Sequence, residues 1–381
     1  MINGQQGQTI MSVKHNFYQK NIVGGLAITV IFTLVCPVIG NDAGGFQKVE
    51  PNRIPDVFAM LASVTRDNYE KIKTLQGKVI FNDIIFYNGA YAADLVKRHA
   101  GVTIKEPNEI AQRAEGTVEF DIDLGKNLLF KHTNWPKPTE FIDFNNSGIY
   151  PSLSGSMEGK RIITGEYEIE SYPYTKKKDG TILTRAAQKR KRQNPGMITD
   201  DADPRIGFNI GMPVWELLSK LSEGLSSIKK GDINVFYDVV LEEEQTAKGV
   251  KYRVQLAKPG ASYPFDKFIL DGEKGFNPTY IEVKNDKGIT VSEITTDFNK
   301  IDGILLPSKR HVIQYDGNDG RLRRNFEAIF NYTHMNKVLP GNTFSINNLG
   351  LSNGDNFIDN IEGKEYRYQD ANLVFIKVIN K

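Results

Sequence analysis

Cysteine is nearly absent: Cys36 is the only one in 381 residues. A disulfide scaffold is therefore excluded, and beyond residue 36 so are a cysteine nucleophile and a Cys-ligated zinc site. Histidine is scarce too. After residue 40 the chain has His99, His132, His311 and His334. None lies in HExxH, and no two have the spacing of a zinc-binding helix. There is no Walker A loop and no GxGxxG after a strand. No GxSxG elbow is read either. No metal or cofactor is expected, and no positive sign of catalysis. Acid is missing from the first forty residues, which carry Lys14 and Lys20; the remainder has 46 basic and 46 acidic side chains. An overall neutral chain of this kind is a poor nucleic-acid binder.

What the first forty residues do contain is an address. Lys14 and Lys20 precede an uncharged apolar run, Ile22 to Ile39, which ends at Gly40. A basic stretch, an apolar stretch and small residues at the exit form a secretory signal peptide over residues 1–40. The run also just reaches spanning length, so a retained N-terminal anchor is the alternative. Either way the positive residues stay inside and the chain from residue 41 is exported to the periplasm or cell envelope. Thr33-Leu34-Val35 before Cys36 lacks the pattern of a lipoprotein signal.

The exported part reads as one helix followed by many strands. From Pro55 to Lys73, Val57, Phe58, Leu61, Val64 and Ile72 recur at three- and four-residue spacings, with Pro55 suited to a first helical turn. The period then changes to two. In Thr117–Leu124, Val118, Phe120, Ile122 and Leu124 alternate with Thr117, Glu119, Asp121 and Asp123, as in a half-buried antiparallel strand. Tyr252, Val254 and Leu256 repeat the pattern, as do Phe326, Ala328, Phe330 and Tyr332. Further strands are expected near 75–87, 127–133, 139–144, 161–172, 232–242, 264–271, 279–285, 289–298 and 304–315. Asn285–Gly288, Asp302-Gly303 and Asp316–Gly320 supply the turns. Lys78–Tyr87 and Val235–Leu241 are apolar on both alternating sets, which predicts cover on both faces or an apolar cavity on one. Ala92–Ala100 is a short helix candidate. Pro213–Ser226 is a stronger one, with Val214, Leu217, Leu218, Leu221 and Leu225 on one stripe.

One cluster breaks the even charge. Between Lys176 and Arg192 stand eight basic residues and one acid. Poor in apolar residues, the stretch is expected as a surface loop or solvated helix. Its functional alternative is contact with an anionic membrane surface or an acidic protein through Lys176, Lys177, Lys178, Lys189, Arg190, Lys191 and Arg192. Asp200, Asp201 and Asp203 form an acidic loop without the ligand spacing of an EF-hand.

Taken in order, Asn68-Tyr69-Glu70-Lys71-Ile72-Lys73-Thr74-Leu75-Gln76-Gly77 leads into a long first strand. Late in the chain come Ile301-Asp302-Gly303-Ile304-Leu305-Leu306-Pro307-Ser308, then Asn331-Tyr332 and Leu339–Phe344. In this pattern, over residues 55–345, the chain resembles bacterial outer-membrane lipoprotein-sorting proteins of the LolA/LolB/RseB-like superfamily. The resemblance implies an α+β fold, a strongly curved antiparallel half-barrel with helices across its concave face. It also implies a hollow for lipid or for the acyl chains of lipoproteins. Residues 41–345 would form that domain, with insertions at 88–113 and 145–215, and 346–381 a C-terminal appendage containing a strand pair. Phe81, Ile85, Phe120, Ile122, Trp215, Leu218 and Tyr237 are the candidate cavity residues, chosen by facing and aromaticity. A structural or interaction protein of the envelope with a filled core is the alternative.

If the 176–192 cluster holds a polyanion, that binding is expected to be lost above about 0.3 M salt, because exposed charges are then screened. Vesicle co-sedimentation across a salt series measures it; binding indifferent to salt removes the electrostatic contact.

Overall fold

The computed structural model describes residues 45–86, 110–135, 140–143, 148–151, 157–172, 186–192, 213–229, 238–257 and 266–379. In chain order the elements begin with β1 (Gln47–Lys48), α1 (Ile54–Tyr69), β2 (Thr74–Phe86), β3 (Ile110–Asp123) and β4 (Leu128–Trp135). Then come β5 (Glu140–Asp143), β6 (Gly148–Pro151), β7 (Met157–Ile163), β8 (Tyr167–Tyr172), β9 (Ala186–Lys191) and α2 (Val214–Lys229). The second half runs β10 (Asp238–Thr246), β11 (Gly249–Ala257), β12 (Asp266–Asp271), β13 (Asn277–Lys284), β14 (Thr290–Ile301), β15 (Ile304–Tyr315) and β16 (Leu322–Met335). It ends in β17 (Asn356–Asp359), β18 (Lys364–Gln369) and β19 (Asn372–Val378).

Seventeen of these strands form one curved sheet, and β5–β6 a separate pair. Its spatial order is β1-β10-β11-β12-β13-β14-β15-β16-β2-β3-β4-β7-β8-β9-β17-β18-β19, antiparallel at every step except β9–β17. The N-terminal strand β2 thus pairs with the late strand β16, which joins two meanders into one ladder. The hairpins follow their turn residues. Asp302 and Gly303 both take positive φ, 48° and 83°, as a tight two-residue connection requires. At Thr164–Glu166 the Thr164 hydroxyl accepts the Glu166 and Tyr167 amides, and this turn splits the single expected strand 161–172 into β7 and β8.

Helix α1 starts with Pro55 in its first turn and Asp56 beside the positive helix end. Its buried stripe is Ile54, Val57, Phe58, Leu61, Ala62, Thr65, Asn68 and Tyr69. Val64, expected in that stripe, is instead 39% exposed. The helix stops at Tyr69, so Ile72 packs from the connection to β2. Two side chains at this end fix it to the sheet. Asn68 donates to the Leu305 carbonyl and accepts the Leu305 amide, both at 2.9 Å. The Tyr69 hydroxyl donates to Asn277 Oδ1 at 2.8 Å. Helix α2 packs along α1, with the Ser222 hydroxyl on the Pro55 carbonyl.

The apolar side of the sheet changes face along its width. Over β2, β3 and β10–β16 it is the face that carries the helices. Phe130, opposite Asp121, points the other way, and with Ile162, Ile169 and Ala187 it forms a third cluster under Leu349, Leu351 and Phe357. The C-terminal segment is therefore the cover of that face. It holds three strands where a pair was expected, and β17 extends the main sheet by parallel pairing with β9.

The expectation of a loop or solvated helix over 176–192 is corrected for residues 186–191, which form β9. Two of its three basic residues have partners across the strands. Arg190 bridges Glu168 and Glu170, and Lys189 reaches Asp359 at 2.8 Å. Ala187, two residues before Lys189, is fully buried. The neutralising carboxylates lie on other strands, so the local sequence shows only the charge. The strand near 232–242 is observed as β10, from 238, and β6 was not expected. The Ala92–Ala100 helix and the acidic loop at Asp200–Asp203 lie outside the described residues.

Replacing Asn68 by Ala removes two hydrogen bonds and strands a backbone amide and carbonyl at the helix–sheet junction. A loss of about 1–3 kcal/mol is expected, measured as a lower urea midpoint at unchanged slope. A midpoint equal to the parent's would show that the junction does not hold the fold.

Candidate apolar ligand site

Two apolar clusters lie side by side on the helix-bearing face. Phe58, Leu61, Leu218 and Leu221 of the helices pack on Leu241, Val254, Phe268, Leu270 and Ile281. Next to them Leu75, Val79, Phe120, Ile122 and Leu129 gather with Leu306 and Phe330. Trp215 at the start of α2 packs against both clusters, and its ring lies 5.7 Å from that of Tyr69.

The structure thus brings most of the described cavity candidates to one face. Phe120, Ile122 and the half-buried Phe81 belong to the second cluster, Leu218 to the first, and Trp215 stands at their seam. In this structure Phe120 is 2% exposed and Ile122 and Leu218 are fully buried, so they are packed side chains. Gly77 and Gly116 make room for this packing. A Cβ at Gly77 would come within 2.6 Å of the Phe120 ring, and one at Gly116 within 2.7 Å of the Phe81 ring. Of Ile85 only the register position is described, opposite Arg324. Tyr237, Lys176, Lys177 and Lys178 lie outside the described residues. Lys191 is exposed, while Arg192 donates to the Thr164 carbonyl at 2.9 Å. Asp359 sits below the usual carboxylate range, because Lys189 and two backbone amides outweigh the upward push of its burial.

Beyond Phe81 the same face turns amphipathic. Phe81 stacks on Phe326 at 6.2 Å, and the Arg324 guanidinium lies 5.1 Å above the Phe326 ring. Arg324 also grips Asp83 with two bonds, 2.7 and 2.8 Å. Arg310 lies over Phe330 at 5.7 Å. These cations were not legible beforehand; only strand register places positions 83, 310 and 324 together.

Strand β2 was expected to be covered on both faces or to line an apolar cavity with one of them. On the face away from the helices, however, Ile80 is 46% exposed. Ile80 and its cross-strand neighbour Ile329 border a shallow groove of about 300 Å³, walled by Glu115, Thr117 and Glu327. This groove lies across the sheet from the helix-covered clusters.

The chain is similar to several solved structures. One is a protein of family DUF1329 from Desulfovibrio piger, at 11% identity, covering 79% of this chain and 100% of that one, with a TM-score of 0.32. A domain named as outer-membrane lipoprotein-sorting, from Vibrio parahaemolyticus, matches at 9% identity over 77% and 99%, with a TM-score of 0.34. A LolA superfamily protein from Nitrosomonas europaea matches at 10% identity over 77% and 99%, with a TM-score of 0.32. No family model and no curated protein sequence matches the chain. Superpositions this loose leave the function to be read from the chain's own residues.

Among the described residues no group of three His, Cys, Asp or Glu side chains is placed to hold a metal ion. The spacing GxSxG does occur, at Gly350-Leu351-Ser352-Asn353-Gly354, against the expectation of no such element. It follows a short 3-10 turn and leads toward β17, and the Ser352 amide donates to Asp355 within it, so the setting is a turn rather than a nucleophile elbow. No helix among the described residues is long and apolar enough to cross a membrane.

One carboxyl on the helix-bearing face is perturbed. Asp266 lies two residues before the buried Phe268, between the cross-strand neighbours Leu256 and Val283. Burial pushes it up to about 6. The folded state then holds this proton more tightly than the unfolded chain, so the associated stability is present below about pH 4 and lost as pH rises through 6. Asp266→Asn is expected to raise stability at pH 7.5 by about 1–2 kcal/mol, discounted for the side chain's remaining exposure, and to change nothing at pH 4. Urea melts at the two pH values test it; equal gains at both would assign the effect to packing.

Proposed function

We propose that this chain is an exported envelope protein that binds an apolar ligand, a lipid or lipoprotein acyl chain, between its helix pair and the concave face of its sheet, without catalysing a reaction on it. The observation that carries this reading is how the cover is attached. Helix α1 is hydrogen-bonded to the sheet at its C-terminal end, through Asn68 and Tyr69. Helix α2 meets the strands through Val214, Trp215, Leu218, Leu221 and Leu225. Its one described side-chain bond to another element runs to α1, at Pro55. Apolar contact can be exchanged for an acyl chain at small net cost, whereas broken buried hydrogen bonds cannot. The Trp215 seam is then the entry, and Phe81, Phe326 and the flanking arginines the outer floor.

The alternative is an interaction protein with a filled core. It is favoured by the complete burial of Ile122 and Leu218. A fourteen-carbon chain supplies roughly 10 kcal/mol of burial before costs, at about 0.8 kcal/mol per CH₂. That is enough to displace such packing if the helices yield.

Native mass spectrometry of the protein isolated from the envelope, with organic extraction, separates the two. A discrete added mass that extracts as lipid is expected. A bare mass, unchanged after incubation with mixed phospholipids and lipoprotein, overturns the ligand reading. Phe81→Asp should cut uptake of a fluorescent fatty acid at least tenfold with an unchanged circular dichroism spectrum.

A further inference from the structure

The two edges of the long sheet are unequal. At one end β1 is a two-residue strand, Gln47-Lys48, both exposed. At the other, β19 runs seven residues, Asn372-Leu373-Val374-Phe375-Ile376-Lys377-Val378. Its apolar residues stand in solvent: Val374 is 46% exposed, Phe375 52%, Ile376 38% and Val378 63%. One side of β19 pairs with β18, and among the described residues no strand pairs with the other. Edge strands of monomeric proteins are usually short, charged, strongly bulged or covered, because a long apolar edge invites another strand. Here the one charge of the strand, Lys377, is held by Glu365 at 3.2 Å, and a single bulge, near Tyr366, interrupts the β18 pairing.

We propose that β19 pairs antiparallel with β19 of a second copy of this chain, making a two-fold dimer. The unequal edges select this occupant. Head-to-tail pairing of β19 with β1 would match two residues, so a ring or filament gains little. Two copies of β19 match seven residues with seven, apolar run against apolar run. Charge agrees. A strongly charged peptide would find only Lys377, already paired with Glu365, whereas an apolar run meets another without stripping water from an ion. A two-fold contact also closes on itself and leaves the two short β1 edges outside. The contact is small against the roughly 1,000 Å² that a stable interface needs. The dimer should therefore form over a micromolar range and dissociate on dilution.

The test is sedimentation velocity of the purified protein from about 1 to about 200 µM. The expected result is a reversible monomer–dimer equilibrium that Val374→Lys combined with Val378→Lys weakens at least tenfold. Both positions are exposed, so the melting temperature should not move. With Phe375→Cys, mild oxidation should give a disulfide-linked dimer. A monomer across the whole range overturns the proposal. So does a dimer unaffected by the double lysine variant, or a heavier species whose added mass is a different polypeptide.

Discussion

Asn68 gives both ends of its carboxamide to the backbone of Leu305, and Tyr69 gives its hydroxyl to Asn277. These three bonds set where the only two described helices lie. An amphipathic helix held by apolar contact alone can slide or rotate on a sheet, since the hydrophobic effect has no direction. Hydrogen bonds to a strand backbone give it one position. Leu305 belongs to β15, which pairs with β16, and β16 with β2, the strand that follows α1. The helix is thus fastened near the join between the early and late halves of the chain. Helix α2 takes its place from α1, and the first cluster fills the space beneath the pair.

An open sheet cannot bury a face by closing on itself. This one solves the problem twice, on opposite sides. Under the helices, the face formed by β2, β3 and β10–β16 is apolar. Across β7–β9 the same face carries Arg161, Glu168, Glu170 and Arg190, and the apolar residues move to the far side beneath the C-terminal segment. Each half gathers its apolar clusters where something covers it, while Ile80 and Ile329 stay exposed on the uncovered side. Arg190 of β9 is paired with Glu168 and Glu170 of β8 and Lys189 with Asp359 of β17, which lets a strand rich in cations lie inside a continuous ladder.

Much of this was legible because period-two alternation is local. Most strands from β2 to β16 were expected near their observed places, as were the two helices and the Asp302-Gly303 turn. The charged strand β9 was not, because Glu168 and Glu170 make it a strand and stand on its neighbour. Nor was the split at Thr164, where a hydroxyl closes a turn without proline or Asx. The candidate site shows the same limit. Facing selects Phe120, Ile122 and Leu218, but whether a facing side chain lines a hollow or fills one depends on what lies above it. The stretches Asn68–Gly77 and Ile301–Ser308, on which the resemblance was read, hold Asn68, Tyr69 and Leu305.

The burial of Ile122 and Leu218 does not by itself decide between a carrier and a filled core. A carrier that left its hollow open between ligands would expose a large apolar surface to water, at about 25 cal/mol for each Å². Collapse of the helix pair onto the sheet is the expected resting state of such a protein. What distinguishes the two cases is the work of reopening. Lifting α1 as a whole would break the Asn68 and Tyr69 bonds in a buried setting. Swinging α2 away at Trp215, about the anchored end of α1, breaks none of them. The polar fastening of the cover to the sheet thus sits at the C-terminal end of α1, beside Trp215, while α2 meets the strands by packing. That distribution is the one the proposed lid requires, since packing contacts are the kind an acyl chain can replace.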